Sequence, residues 1–213
     1  MNRIFIITAG PTREHLDPVR FLSNPSTGRM GFAVARAVAA RGFETVLVAG
    51  PVALKTPARV RRVDVVSARE MLAAVEEEIR RAESVGADVT LISTAAIADW
   101  RPAECAARKL KKGEMSDTLK LVRNPDLLKS VACAHKVGFA AETGELAAEA
   151  RRKCREKGLD FIVANDVTAA GAGFGVATNR VTIFRADGST LALPLMSKLA
   201  VARRIIRECE AGW

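Results

Sequence analysis

The run RIFIITAGPTREHLDPVRFLSNPSTGRMGFAVARAVAARG, residues 3–42, decides how the rest of the chain is read. Its residues 4–8, IFIIT, are apolar or β-branched throughout and are closed by Ala9, Gly10 and Pro11, the pattern of a strand buried on both faces. Residues 31–40 are rich in Ala and Val and stop at Gly42, the pattern of a packed helix with a glycine terminator. Strand followed by helix is the opening of a parallel βαβ unit. The join is unusual. A dinucleotide-binding protein turns from strand to helix through a compact Gly-x-Gly-x-x-Gly, whereas here about twenty residues, AGPTREHLDPVRFLSNPSTG, intervene, and loops of that length are generally binding segments.

The rhythm continues outward from this unit. Strand-like runs recur at 45–49, 63–66, 89–93, 137–141 and 161–164, and helical patterns lie at 68–82, 125–134 and 145–157. The alternation predicts an α/β fold, a Rossmann-like open and mostly parallel sheet with helices on both faces. Residues 179–193 break the rhythm, because NRVTIF and TLALPL flank Ala186, Asp187 and Gly188 and predict a β-hairpin at the sheet edge. Residues 197–209 close the chain as an amphipathic helix whose stripe of Leu199, Ala202, Ile205, Ile206 and Cys209 docks on the core; its arginines leave a membrane-surface helix as the other reading. Residues 1–213 read as one domain without repeats or low-complexity linkers.

Composition excludes several classes. With 213 residues, 49% of them hydrophobic, the chain buries roughly 70% of its unfolded surface, which rules out disorder and a disulfide-stapled miniprotein. The cysteines, Cys105, Cys133, Cys154 and Cys209, form no CxxC pair and read as free thiols of a reducing compartment. Neither His15 nor His135 has a ligand-spaced partner, so no metal site and no Ser-His-Asp triad is predicted. No stretch reaches the roughly 20 apolar residues of a spanning helix, and the N-terminus lacks a signal core, so a cytoplasmic protein without membrane attachment is expected. Thirty-three Lys plus Arg against 24 Asp plus Glu leaves +9, which favours an acidic partner, either nucleic acid or a small polyanion.

In open α/β sheets ligands collect beyond the carboxyl ends of the strands, so the loops there carry the candidates. Ser26, Thr27 and Gly28 stand just before a helix start, where free N–H groups and the helix dipole favour an anion; a plain capping role for Ser26 or Thr27 fits equally. Gly171, Gly173 and Gly175 precede a strand and so read as a turn, not a phosphate loop. Asp99, past the fourth strand, can accept hydrogen bonds from a base or ribose or simply cap a turn. The KLKK run, residues 109–112, and the pair Lys153 and Lys157, one helical turn apart, can grip a polyphosphate or can be solvated surface.

Taken in order, GPTRE, DPVR, SNPSTGRMG, AAIADWRP, KLKK, NPDLL, GFAAET, LDFIVANDV and GFG resemble phosphopantothenoylcysteine synthetase, the ligase of coenzyme A biosynthesis, over nearly the whole chain. The chain departs from that family's usual SNxSSGKMG at Thr27, which keeps a hydroxyl, and at Arg29, which keeps a charge. In many bacteria the domain follows a flavin-dependent decarboxylase; a first strand directly after Met1 makes a free-standing synthetase the expectation, with no flavin in this chain and a separate flavin-dependent phosphopantothenoylcysteine decarboxylase as a possible partner.

The resemblance implies a two-step ligation in which the carboxylate of 4'-phosphopantothenate attacks the α-phosphate of CTP, pyrophosphate leaves, and the amine of L-cysteine captures the acyl-cytidylate. It implies Mg²⁺ bound with CTP and a homodimer, with the 179–193 hairpin as one possible surface for pairing. Carried over by motif, Arg20 and Asn24 hold phosphopantothenate and its acyl intermediate, with Ala95 and Ala96 lining the same site, and Arg20, Asn24 and Lys109 form the catalytic set. Ser93, Thr94, Ala95, Asp99, Lys109, Pro125, Asp126, Leu127, Leu128, Phe139, Lys153 and Lys157 border the nucleotide, Ser26, Thr27 and Gly28 form a phosphate loop, and Lys109 rides on a flap around 105–117. The resemblance gives no protein ligands for a metal. ATP in place of CTP, a nicotinamide-dependent reductase and a nucleic-acid module are the alternatives. The missing Gly-x-Gly-x-x-Gly argues against the second, and 5% aromatics with no tyrosine against the third.

Overall fold

A computed structural model of the chain describes residues 2–114, 117–142, 145–166, 168, 171, 173 and 175–212. In chain order the elements are β1 (Arg3–Ala9), β2 (Arg13–His15), β3 (Phe21–Ser23), α1 (Arg29–Ala40), β4 (Glu44–Ala49), β5 (Arg61–Asp64), α2 (Ala68–Ser84), β6 (Asp88–Ser93), β7 (Trp100–Pro102), β8 (Leu121–Arg123), α3 (Leu127–Ser130), β9 (His135–Glu142), α4 (Leu146–Glu156), β10 (Phe161–Asp166), β11 (Thr178–Asn179), β12 (Thr182–Arg185), β13 (Thr190–Ala192), β14 (Met196–Ser197) and α5 (Lys198–Ala211). The main sheet runs β13-β12-β10-β9-β6-β1-β4-β5, with its six central-to-edge strands from β10 to β5 parallel and the β12–β13 hairpin antiparallel at one edge. This is the predicted α/β arrangement, and the order in which strands are added reverses between β1 and β6, the switch point where such sheets bind ligands.

Two faces of one strand show why the sheet is buried on both sides. Ile4 and Ile6 of β1 point into a core built with Met71, Val75 and Ile79 of α2 and Ala150 and Cys154 of α4. Phe5, Ile7 and Ala9 point the other way, into a core built with Phe32, Val34 and Val38 of α1 and Val201, Ile205 and Ile206 of α5. Alternation with period two, apolar at every position, therefore yields three layers, and each such side chain fully buried contributes about 1.5–3 kcal/mol. The terminal helix docks on the core, as its stripe predicts, and no helix among the described residues is long and apolar enough to cross a membrane.

Three expectations need correction. The helix expected at 125–134 is only the single turn of α3, because Val131 turns extended at its end and buries its side chain while the chain heads into β9. The strand expected at 63–66 is β5, two residues earlier. The hairpin does form, but Val181, Ile183 and Leu193 are buried against the core, so it does not present the apolar pairing surface expected of it. Exposed large apolar side chains instead gather on the small β2–β3 and β7–β8 ribbons and beside them, at Val19, Phe21, Trp100, Leu119 and Leu121.

Candidate active site

The long first loop divides into a locked half and an open half. Gly10, at φ 80°, turns the chain back over the sheet, and Pro11 passes so close to Gly50 that a Cβ there would lie 1.8 Å from the Pro11 carbonyl oxygen. Glu14 is buried and accepts the Ala68 N–H at 2.9 Å. Asp17, fully buried, accepts the Val19 and Arg20 N–H groups at 2.8 and 2.9 Å, the Leu110 N–H at 3.2 Å and the Arg20 guanidinium. Burial alone would push its carboxyl up, but Arg20 and these N–H groups outweigh burial and hold it far below the usual carboxylate range. Arg20 in turn donates to the Leu110 carbonyl at 2.8 Å. Asp17 and Arg20 thus clamp both polar groups of the Leu110 peptide, next to Lys109.

Beyond this clamp the loop opens onto a cavity of about 390 Å³ at the switch point. One wall is the start of α1, residues 24–31, and the facing wall is the 94–99 loop after β6. That loop is pinned to β1 and the first loop: Thr94 donates to the Thr8 carbonyl at 2.6 Å, Ala96 N–H to Gly10 at 2.9 Å, and Ala98 N–H to the Thr12 hydroxyl at 3.0 Å. Asn24 donates to the Ala96 and Ile97 carbonyls at 3.2 and 3.3 Å, so its donor end is committed to the fold and its amide oxygen is left to accept. Gly31 seats α1 against the sheet, since a Cβ there would fall 2.5 Å from both the Ala9 Cβ and the Thr94 Oγ1.

The start of α1 is unfinished. Its N-cap is Gly28, left-handed at φ 75°, with no side chain accepting from the first turn and no acidic residue there. Ser26 Oγ accepts the Gly28 N–H at 3.3 Å and no side chain caps the first turn, so the plain capping role is not seen here. Positive helix end and open N–H groups face the cavity, the arrangement that binds anions.

A second cavity of about 350 Å³ adjoins the first and shares Ala95, Ile97, Asp99 and Phe139 with it. Its floor is Ser93, its far wall is Pro125, Asp126, Leu127 and Leu128, and Trp100 closes one side with the Arg123 guanidinium 4.9 Å above its ring. Asn124 ties this wall to the 94–99 loop by donating to the Ala98 carbonyl at 2.8 Å.

Most of the predicted residues therefore meet. Asn24, Ser26, Thr27, Gly28, Thr94, Ala96 and Lys153 line the first cavity, Ser93, Pro125, Asp126, Leu127, Leu128 and Lys157 the second, and Ala95, Asp99 and Phe139 both. The two lysines line different, adjoining cavities, and each is held by a carboxylate. Lys153 pairs with Glu142 at 2.5 Å, and Lys157, in the α4 C-cap, pairs with Asp126 at 3.0 Å. Arg20 and Lys109 line neither cavity. Lys109 is exposed, and Met115 and Ser116 of the expected 105–117 flap lie outside the described residues.

The sequence reading missed a third wall. Gly173, Asn165, Asn179 and Lys198, from β10 and the segments after it, also line the first cavity, and Arg29 reaches over to donate to the Gly175 carbonyl at 3.0 Å. In the glycine run, Gly173 and Gly175 offer carbonyls to Lys198 and Arg29. The run thus borders the site. A lysine as the first residue of a helix, where the dipole disfavours a cation, is the one signal that could have flagged Lys198.

The model of the DNA/pantothenate metabolism flavoprotein C-terminal domain matches residues 1–211. The chain is 44% identical over 216 residues to the coenzyme A biosynthesis bifunctional protein CoaBC of Vibrio vulnificus strain YJ016, covering 98% of this chain and 52% of that protein. It thus spans about half the length of such curated relatives. A crystal structure of the C-terminal domain of a bifunctional CoaBC protein superposes with a TM-score of 0.81 at 39% identity, covering 99% of this chain and 95% of that one. A Cab2 mutant in complex with phosphopantothenate-cysteine, 16% identical, superposes with a TM-score of 0.79 over 99% of this chain and 86% of that one, and shares the fold.

Proposed function

The chain belongs to the DNA/pantothenate metabolism flavoprotein C-terminal domain family, and from that membership we propose that it is the ligase that joins 4'-phosphopantothenate to L-cysteine at the expense of CTP. The observation that carries this reading is the pair of cavities meeting at Ala95, Ile97, Asp99 and Phe139, one with an anion-binding end and one with a pocket suited to a base and ribose. Where they meet, a substrate carboxylate can reach the α-phosphorus of a nucleotide. Its oxygen forms the new P–O bond as the bond to the β-phosphate breaks and pyrophosphate leaves. The cysteine nitrogen then bonds to the acyl carbon, the bond to CMP breaks, and the amine gives up a proton.

Each residue's part follows from its place. The α1 N-terminus with Ser26, Thr27 and Gly28 receives phosphate oxygens, and Asn24 offers its amide oxygen to the acyl intermediate or incoming amine. Asp99 accepts from the nucleoside. Lys153 and Lys157 exchange their carboxylate partners for phosphate as CTP enters, and Lys109, carried by the Leu110 clamp, meets charge that builds in the transition state. Arg20 is a positioning residue for that clamp. Asp99 is the one carboxylate among the described residues of the first cavity, which suits a Mg²⁺ held chiefly by triphosphate and water. A twofold assembly through Val19, Phe21, Trp100, Leu119 and Leu121 covers the exposed apolar patch; light scattering that finds an active monomer would refute it. The product is the substrate class of a flavin-dependent decarboxylase, the proposed partner in a cytoplasmic setting.

The test is pyrophosphate release. It should require CTP, Mg²⁺ and 4'-phosphopantothenate together, and added cysteine should yield the amide. Equal turnover with ATP would move the nucleotide assignment, and no pyrophosphate with either nucleotide would overturn the ligase.

A further inference from the structure

Lys198 is the first residue of α5 and nine-tenths buried, with 9% of its surface exposed, yet it lines the first cavity. Among the described residues its ammonium makes a single, long hydrogen bond, 3.4 Å to the Gly173 carbonyl, and no carboxylate pairs with it. Every nearby charge makes this worse. Arg29 stands beside it, α5 presents its positive end, and the uncapped start of α1 points into the same space. Burial, then Arg29, pushes the Lys198 ammonium down from the ordinary lysine range. A buried cation without a counter-charge costs several kcal/mol, and folded proteins keep one where a ligand supplies the missing charge.

We propose that Lys198 is a phosphate-binding residue, gripping with Arg29 and the start of α1 a phosphate group of a substrate, so that the first residue of the C-terminal helix completes the site beside Gly173. The α1 end supplies N–H donors and Lys198 supplies a buried charge lining the same cavity, so a tetrahedral dianion can be met by both. Carboxylates and neutral ligands of similar size lack the charge to satisfy both. The phosphate comes either from the monoester of 4'-phosphopantothenate or from the polyphosphate end of the nucleotide. This rests on the reading of the cavity as a site for phosphorylated substrates, but it does not need turnover to be tested.

Lys198→Met and Lys198→Arg proteins, with wild type, are titrated with inorganic pyrophosphate, CTP and 4'-phosphopantothenate, followed by calorimetry and by the shift in melting temperature. Lys198→Met should weaken at least one of these about tenfold to a hundredfold, as expected for a lost hydrogen bond to a charged group, while Lys198→Arg stays within a few-fold of wild type. Loss confined to pyrophosphate and CTP assigns the phosphate to the nucleotide; loss confined to 4'-phosphopantothenate assigns it to the monoester. Without ligand, Lys198→Met should melt at or above the wild-type temperature, because it removes an uncompensated buried charge. A Lys198→Met protein that binds all three as wild type does, or that melts well below wild type, overturns the proposal. If binding is lost as expected while no pyrophosphate is released by wild type, the phosphate site stands and the ligase reading falls.

Discussion

The helices α1 and α2 both follow a strand of the same parallel sheet, and their first turns are finished in opposite ways. At α2, Ser67 accepts the Glu70 N–H at 3.2 Å, Glu70 accepts the Val66 N–H at 2.7 Å, and Glu14 arrives from the first loop to accept the Ala68 N–H. Two carboxylates therefore face that helix's positive end. At α1 the N-cap is a left-handed glycine, no side chain accepts from the first turn, and the only charge there is Arg29. A fold able to cap one helix so thoroughly leaves the other open where the cavity lies. The unsatisfied donors of a helix start are a cost unless something accepts from them, and on the function proposed here a phosphorylated substrate would do so at α1.

Gly31 offers the largest way to break this contrast. Because a methyl group there would sit 2.5 Å from Ala9 and Thr94, Gly31→Ala must lift α1 from the sheet or displace the 94–99 loop. We expect it to lose about 1–3 kcal/mol of stability, the usual cost of overpacking, and to lose phosphorylated-substrate affinity with it. Thermal unfolding alongside a CTP titration measures both. Wild-type stability would mean that α1 does not owe its position to Gly31.

A carboxylate grafted onto α1 sharpens the comparison by making it resemble α2. In Ser26→Asp the new group stands where Ser26 already accepts the Gly28 N–H, close to the positive helix end. Stability should rise by about 0.3–1 kcal/mol, while affinity for a phosphorylated substrate falls at least about tenfold, roughly 1.4 kcal/mol, because the anion site is now filled and repulsive. The opposite signs are the point. A protein that loses stability and keeps its affinity would show that the α1 end is already closed.

How far the sequence carried this contrast depends on range. Six strands of the sheet were legible because each is a short run rich in apolar residues, while their order, which depends on how the crossovers pack, was not read from the sequence. Ser26, Thr27, Gly28 and Asp99 could be singled out because they lie on loops at strand ends, where such sheets collect ligands, whereas Ala95, Phe139 and Leu128 came only with the family resemblance; all of them line the two cavities. Glu14 and Asp17 were seen only as letters of a motif, and their work is structural, as a remote cap and a clamp, which no local pattern encodes. The ion pairs of Lys153 with Glu142 and Lys157 with Asp126 depend on side-chain directions across three elements. Lys198 was invisible because residues 171–198 reach the cavity only once β10, the hairpin and α5 are assembled.

The smallest expected effect tests the closed end. Ser67→Ala removes the side-chain acceptor for Glu70 N–H but leaves Glu70 on Val66 and Glu14 on Ala68, so two of the three restraints on the first turn remain. Loss of an N-cap costs about 1 kcal/mol, and the surviving acceptors should keep this one near or below that figure. No residue of that turn lines either cavity, so kcat and the KM for each substrate should stay at their wild-type values. Urea unfolding and steady-state kinetics on the same preparation decide the matter. A change in KM greater than a few-fold would mean that Glu14 transmits the loosening of α2 through the first loop to Asp17 and the Leu110 clamp, and the two helix starts would then be coupled parts of one device.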